Sequence, residues 1–454
     1  MNRLTPWLLV SLSALIYGSA VLWPTYCFWM VFVFLIPIFY ISFRSPHLLT
    51  FSYGLWWGLQ FFCINFYGVA KVFHQVAQSD LRILVPIGFI VYVALHSGLW
   101  FWLATYVVSC RKNPSPLWIG LSWFMVTGLY FYWVRYGVFW VLGIFVGNPF
   151  GSPLLLLAEY PLLLMSLPIV TETGLLIALI LGQLGIAYGL YKKSLVYCGV
   201  AGCYLLIFLL GALLGPSETE VPQYVNTIGY VNPPSKLLPI EQQIVDLHTR
   251  ITKLLSSNPA LHTIILPEST LQIRLDIHPD IIHYFSSAIA TKDINIFIGA
   301  NRSGVDKDCN SLYLIKNGSI VSCYDKKILM PLFEYVEFPW NQCAYFNNLF
   351  LKKWPGFDCP KKSLDLFQWT PQVCLVPRLC SELYLSLDHH DLPYDPDYPI
   401  LFATNEAWFS DRHYQKLFYL YAVFQAIQSK RDIIYVGHKF GRWISRATGR
   451  SIGF

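Results

Sequence analysis

The chain has 454 residues, 55% of them hydrophobic and 17% aromatic but only 13% charged, with a mean hydropathy of +0.47. That balance excludes an ordinary soluble protein, in which roughly a quarter of residues are charged. A formal charge of +6 makes no case for nucleic acid and is compatible with an anionic membrane surface.

Most of the apolar excess precedes residue 216 and divides into seven runs, at about 6–23, 25–43, 51–70, 84–109, 116–134, 169–191 and 194–214. Each is long enough to cross roughly 30 Å of hydrocarbon as a helix. Arg3 and the small residues Gly18 to Ala20 resemble a signal peptide, but six further runs make an uncleaved signal-anchor the better reading. With a cytoplasmic N-terminus, Arg3, Arg44, Arg111, Lys112, Lys192 and Lys193 fall inside and only Lys71, Arg82 and Arg135 outside, as the positive-inside rule favours. Seven crossings then deliver everything after Gly215 to the outer face.

Between the fifth and sixth runs, residues 135–168 hold Phe139, Trp140, an N-P-F-G at Asn148 to Gly151 and a leucine-rich stretch around Glu159. Their Pro and Gly content argues against a straight crossing and predicts helices lying in or dipping into the outer interface. Glu159 is expected to point to headgroup water. Asn65, His96 and Glu172 read as packing or interface groups rather than a transport path.

After Gly215-Pro216-Ser217 the composition changes. The expected division is a transmembrane bundle of about seven helices over 1–216 and an α/β domain over 217–454. Ile240, Ile244, Leu247, Ile251 and Leu254 step by four and three, marking one face of an amphipathic helix. His262 to Leu266 is a strand ending at Pro267-Glu268; a helix over Pro279 to Ala290 leads into the buried strand I-N-I-F-I-G-A. Ser311 to Ile315 and Ser319 to Tyr324 flank Asn317-Gly318, the pair a type I′ hairpin prefers. Strands at Ile400 to Thr404 and Ile433 to Gly437 bracket a helix capped by Asp411. Strand, helix and strand with paired hairpins indicate a layered α/β sandwich.

Three segments carry the chemistry: L-P-E-S-T with Glu268, Y-D-K-K-I-L-M-P-L-F-E-Y with Lys326 and Glu334, and V-C-L-V-P-R-L-C-S-E-L-Y with Cys380. A thiol attacks a carbonyl as thiolate, so it needs a base or cation beside it. Glu268 can take the proton, and Lys326 can stabilise first the thiolate and then the oxyanion of the tetrahedral intermediate.

These segments resemble the nitrilase superfamily: L-P-E at Leu266 to Glu268, Y-x-K-x-x-L-x-P-x-x-E-Y at Tyr324 to Tyr335, L-C-x-E at Leu379 to Glu382, and T-N-E-A-W-F at Thr404 to Phe409. With its membrane preface the chain resembles one branch, apolipoprotein N-acyltransferase. The resemblance implies a multi-pass helical bundle carrying a nitrilase-like α-β-β-α sandwich. It puts Glu268 as general base, Lys326 as oxyanion and thiolate stabiliser and Cys380 as nucleophile. Lys327 competes with Lys326, but the interval to Pro331 and Glu334 fits Lys326. Glu334 and Glu382 fall on acidic positions that would orient Lys326 and the substrate amine, with Tyr335, Asn405 and Trp408 also in support, and Arg431 fits a further family position. Departures are Phe333 for Gly, Glu337 for Pro, Pro377-Arg378 for small apolar residues, and Ser381 where an aromatic usually follows the nucleophile.

The implied reaction moves an acyl chain from a phospholipid to Cys380 as a thioester, then to the N-terminal amine of diacylglyceryl-cysteine in an apolipoprotein. The alternative is a membrane-tethered C–N hydrolase acting on a small amide, or a catalytically impaired homologue. The implied location is a bacterial inner membrane with the catalytic domain periplasmic, and a monomer is expected. No cofactor or metal is expected: Asp388, His389, His390 and Asp391 read as a solvated loop, because adjacent residues rarely converge on one ion.

Residues 338–370 carry Trp340, Phe346, Phe350, Trp354 and Trp369 among Lys352, Lys353, Lys361 and Lys362. Aromatics beside lysines suit a lid dipping into headgroups, with Trp340, Phe350 and Trp354 as lipid contacts. Of eleven cysteines, Cys27, Cys63, Cys110, Cys198 and Cys203 lie in or beside the apolar runs as small apolar residues. Cys309, Cys323, Cys343, Cys359 and Cys374 accompany Cys380, which must stay free; no pairing follows from sequence.

Overall fold

A computed structural model describes residues 4–65, 81–136, 152–214, 220–287, 293–305, 307–329, 334, 357, 366–385, 395, 397–408 and 412–454. The chain divides into two compact units, Met1–Gly215 with Phe409–Phe424, and Pro216–Trp408 with Gln425–Phe454.

The first unit is helical: Leu4–Leu22, Pro24–Cys27, Ile36–Arg44, Phe51–Asn65, Leu81–Ser109, Pro116–Tyr136, Leu167–Lys192 and Leu195–Leu214. Among the described residues four segments are long and apolar enough to cross a membrane: Leu4–Leu22, Pro24–Arg44, Ile90–Ser109 and Leu167–Lys192. Phe51–Asn65 and Leu81–Ser109 approach closely through Gly54 and Gly58, where a Cβ would lie 2.3 Å from Ser97 O and 2.8 Å from Ala94 Cα. Small residues four apart allow such backbone contact in helical membrane proteins.

The second expected span departs from a single helix. A 3-10 turn at Phe28–Phe32 separates its two helical pieces. The Leu35 N–H, outside both helices, donates to Gln183 Oε1 at 2.7 Å, and Gln183 Nε2 donates to Val31 O at 3.1 Å. Gln183 is wholly buried, so one amide meets the backbone groups that the break frees.

The leucine-rich segment corrects the interfacial expectation. It forms two 3-10 turns, Pro153–Glu159 and Pro161–Leu164, and Leu154 to Leu157 are all buried. Four successive leucines cannot all be hidden by one covered face, so protein surrounds this turn. Glu159 likewise does not face headgroup water alone: Thr25 Oγ1 donates to its Oε1 at 3.0 Å, and Lys416 Nζ, in the same unit, lies 2.7 Å from its Oε2.

The second unit is built on two six-stranded sheets. The first runs β1 (Ile228–Tyr230), β2 (Thr263–Ile265), β4 (Asn295–Arg302), β5 (Cys309–Lys316), β6 (Ser319–Asp325), with β3 (Leu271–Arg274) also on β4. The second runs β12 (Ser451–Gly453), β11 (Gly441–Ile444), β10 (Ile433–Val436), β9 (Ile400–Ala403), β8 (Cys374–Leu379), β7 (Phe367–Gln368). Each has a parallel part, β1–β2–β4 and β8–β9–β10, continued by antiparallel strands. The β5–β6 hairpin turns through Asn317 (φ 49°) and Gly318 (φ 77°), both left-handed as a type I′ turn requires.

Strand β4 explains how the layers assemble. Ile296, Ile298 and Ala300 point to one core, shared with Leu247, Ile251 and Leu255 of helix Ile240–Ser257 and with Phe285 of helix Pro279–Ser287. Phe297 points to the other, among Leu312, Tyr324, Leu375, Leu379, Leu401, Ile434 and Trp443, which come from both sheets. A strand covered on both faces reads as an unbroken apolar run. Full burial of each such aliphatic side chain contributes roughly 1.5–3 kcal/mol. Helix Arg412–Ser429 is the crossover between parallel β9 and β10. The chain is thus an apolar helical part followed by an α-β-β-α sandwich.

Trp369 belongs to this core. It is buried, and its Nε1 donates to Thr263 Oγ1 at 2.8 Å, so it packs instead of serving the lid. Trp340, Phe346, Phe350 and Trp354 lie outside the described residues, as do Tyr335 and 388–391. Among the described residues Cys323, Cys374 and Cys380 form no disulfide.

Candidate active site

The site forms where parallel strands end. Glu268 follows β2, Cys380 follows β8 and Asn405 follows β9, so three side chains leave the carboxyl edge of a parallel strand, the usual location of ligands in α/β sheets. Lys326 follows β6, its N–H donating to Asn310 O at 2.8 Å.

Glu268 needs room to turn back. Gly299 on β4 faces the Pro267–Ser269 turn, where a Cβ would meet Pro267 O at 2.5 Å, Ser269 N at 2.6 Å and Glu268 Cα at 2.7 Å. Ser269 takes a left-handed φ of 51° to complete the turn. The Glu268 carboxylate is 4% exposed as a residue and is held on both oxygens. Oε1 accepts from Lys326 Nζ at 2.9 Å and Asn310 Nδ2 at 2.8 Å; Oε2 accepts from the Asn405 N–H at 3.1 Å.

The Lys326 ammonium, 1% exposed, bridges two carboxylates. It donates to Glu334 Oε1 at 2.9 Å and lies 2.8 Å from Glu334 Oε2. Burial alone would strip its proton, but Glu268, Glu334 and the nearby Cys380 outweigh that and hold the amine well above its ordinary range. Lys327, partly exposed, instead lays its Nζ 6.0 Å from the centre of the Tyr324 ring, so of the two lysines Lys326 is the one between the carboxylates.

Cys380 stands on a strained elbow, a non-glycine residue with φ 41° between β8 and helix Ser381–Leu385. Its N–H extends the sheet by donating to Ala403 O at 2.9 Å, and its carbonyl accepts from Leu383 N at 3.3 Å. The strand bond before and the helical bond after fix that backbone, and strain of this kind gathers at functional turns. Pro377 is tolerated three residues earlier because Val376 N donates to Pro399 O, so the next position faces the other edge, where among the described residues β7 pairs with Cys374 and Leu375.

The thiol is raised by burial, then by Glu268 and Glu334; Lys326 and the Thr404 hydroxyl pull the other way without winning. A neutral resting thiol needs a base at the moment of attack, and a carboxylate beside it supplies one.

Glu382 acts on the loops. Its Oε1 accepts from Lys327 N at 2.6 Å, Ile328 N at 3.3 Å and Tyr324 Oη at 2.7 Å, and its Oε2 from Leu379 N at 2.7 Å. Burial raises its carboxyl, against Arg378 and these donors. One side chain therefore ties the lysine loop to the cysteine elbow, rather than holding the ammonium itself. Ser381, next to Cys380, adds a second tie through Oγ to Ile328 O at 2.7 Å. Asn405 contributes through its backbone N–H, while its Oδ1 accepts from Ala407 N at 3.3 Å. Trp408 ends the 3-10 turn Glu406–Trp408. Arg431 is buried and donates to Tyr398 O at 3.1 Å, bracing the approach to β9.

One residue, Asn310, was missed in the sequence, and a second, Glu406, stood within T-N-E-A-W-F without a role of its own. Asn310 touches both carboxylates, with Nδ2 2.9 Å from Glu334 Oε1 as well. Glu406 is buried and raised by that burial; it accepts from His438 N at 2.6 Å and from the Tyr435 hydroxyl, fixing the turn after β10. An Asn near the start of a strand carries no local signal. Among the described residues no group of His, Cys, Asp and Glu could hold a metal ion.

No family model matches this chain, and no curated protein matches it. Solved structures do. An amidase from Nesterenkonia sp. aligns at TM-score 0.37 and 11% identity over 50% of this chain and 85% of that one. A CN-hydrolase superfamily protein from Xanthomonas campestris aligns at TM-score 0.35 and 17% identity over 50% and 85%. A glutamine-dependent NAD+ synthetase from Acinetobacter baumannii aligns at TM-score 0.35 and 14% identity over 49% and 42%. These structural neighbours are members of the nitrilase, or CN-hydrolase, superfamily at low identity.

Proposed function

We propose that the protein is an N-acyltransferase in which Glu268, Lys326 and Cys380 act as base, oxyanion stabiliser and nucleophile. The observation that carries this reading is the Lys326 ammonium held between Glu268 and Glu334 beside a neutral thiol on a strained elbow. Glu268 accepts the Cys380 proton as sulfur attacks the ester carbonyl of a phospholipid. Lys326 faces the oxygen on which negative charge develops. Collapse breaks the ester C–O bond, and the proton returns from Glu268 to the departing alkoxide, leaving a thioester and a lysophospholipid. An N-terminal amine of diacylglyceryl-cysteine in an apolipoprotein then attacks the thioester. Glu268 takes its proton, the C–S bond breaks, the proton passes from Glu268 to the departing Cys380 sulfur, and an amide remains.

The apolar helices before residue 215 favour a lipid substrate over a small soluble amide. The reading includes the catalytic unit on the periplasmic side of an inner membrane, and Trp340, Phe350 and Trp354 as lipid contacts. The experiment is to incubate the purified full chain, in detergent with phospholipid, with a peptide bearing diacylglyceryl-cysteine at its N-terminus. The expected product is that peptide heavier by one acyl chain on its α-amine. Release of ammonia from simple amides, with no acyl gain on the peptide, would replace this reading by a tethered C–N hydrolase.

A further inference from the structure

We propose that Asn310 is a positioning residue that locks Glu268 and Glu334 onto the Lys326 ammonium and so sets the pH range in which Cys380 can be deprotonated. The inference rests on the acyl-transfer site described above but not on its substrate. Asn310 is buried on the first residues of β5, directly across from the strand end that carries Lys326. Its Nδ2 donates to Glu268 Oε1 at 2.8 Å and to Glu334 Oε1 at 2.9 Å, and its carbonyl accepts the Lys326 N–H at 2.8 Å.

The amide can face only one way, because an amide oxygen turned toward two carboxylates would repel both. The cost of that orientation is visible: Asn310 Oδ1 is buried with no hydrogen-bond partner among the described residues. A side chain present only for packing would gain nothing from an amide here, since its one satisfied end serves the two carboxylates.

Two carboxylates that share a site repel each other, and a donor common to both reduces that repulsion. Among the described residues Lys326 and Asn310 donate to both. Further charged or titratable groups coupled to this cluster are Cys380, Lys236, which acts on Glu268, and Glu406, also near Glu268. Glu268 and Glu334 both push the Cys380 thiol up. Removing the shared donor leaves more uncompensated negative charge beside the sulfur, and replacing it with a carboxylate adds to it.

The test is the rate of iodoacetamide alkylation at Cys380, read by peptide mass spectrometry across pH for the wild type, Asn310→Leu and Asn310→Asp in the detergent-solubilised full chain. Both variants should move the midpoint of the profile upward. Asn310→Asp should move it by about one pH unit or more, a fall of about tenfold in rate at a given pH below the midpoint. Asn310→Leu, nearly isosteric and uncharged, keeps the test readable if the aspartate variant does not fold. A folded variant whose profile overlays the wild type, or moves downward, overturns the inference. If the profile moves while the wild type forms no thioester with phospholipid, the acyl-transfer reading fails and the role of Asn310 stands.

Discussion

Glu382 Oε1 accepts the Lys327 N–H at 2.6 Å while Oε2 of the same carboxylate accepts the Leu379 N–H, so one side chain couples the lysine loop to the strand that presents Cys380. Glu382→Gln keeps the shape but puts an amide N–H2 against a backbone donor. An unmet buried donor costs about 1–3 kcal/mol. The expected result is a lower Tm together with thioester formation slower by about 100-fold, because displacement of a reacting group by about 1 Å costs that much. Differential scanning fluorimetry and intact mass measure the two effects.

Lys326→Met should be more damaging to the fold than its size suggests. It leaves Glu268 and Glu334 facing each other in a buried site, and breaking a buried pair from one side costs about 3–5 kcal/mol. Linkage gives an independent check. The Lys326 amine is raised in the folded state, so its stabilisation is fully present below the unfolded lysine value of about 10.4 and is lost as pH rises through the higher folded value. The wild type should lose this increment above about pH 10.4. Lys326→Met should lack that alkaline decline when Tm is followed against pH.

The raised Cys380 thiol predicts weak reactivity toward a small alkylating agent that cannot recruit the base productively. Its alkylation rate should be low at neutral pH and still climbing above about pH 8.5, where an ordinary cysteine is half ionised. Lys326→Met should push the profile higher still, since the lysine is the group that most favours the thiolate. Peptide mass spectrometry at Cys380 reads both.

Gly299→Ala tests the placement of Glu268 without touching it. A methyl at Gly299 would lie 2.5–2.7 Å from three backbone atoms of the Glu268 turn, contacts that real Cβ atoms do not make. The turn must shift, so activity should fall by about 100-fold even where the protein folds. Glu268→Gln in the same background should add little, since both changes remove the same base.

Much of the fold was legible because burial leaves a periodic trace. The stepped Ile240, Ile244, Leu247 and Ile251 marked a helix face, and Asn317-Gly318 marked its hairpin to the residue. The stretch around Glu159 was less legible: Leu154 to Leu157 read as part of an interfacial helix in sequence but form a buried 3-10 turn. The break at Phe28–Phe32 was hidden because its compensation comes from Gln183, about 150 positions away. In the site, Glu268, Lys326, Glu334 and Cys380 stood out by residue type beside strand ends. Asn310 and the loop-tying role of Glu382 did not, because each acts through contacts across 24 to 58 positions that no local pattern encodes. Trp369 shows the reverse: an aromatic beside a lysine-rich stretch reads as part of a lid until its Nε1 is found on Thr263.

The central claim is that Cys380 carries the acyl group, and intact mass of the purified protein after incubation with phospholipid tests it most directly, with Cys380→Ala alongside. The account predicts a gain of one acyl chain on the wild type, removed by hydroxylamine as a thioester is, and no gain on Cys380→Ala. An unmodified wild type, or an adduct that persists in Cys380→Ala, would contradict it.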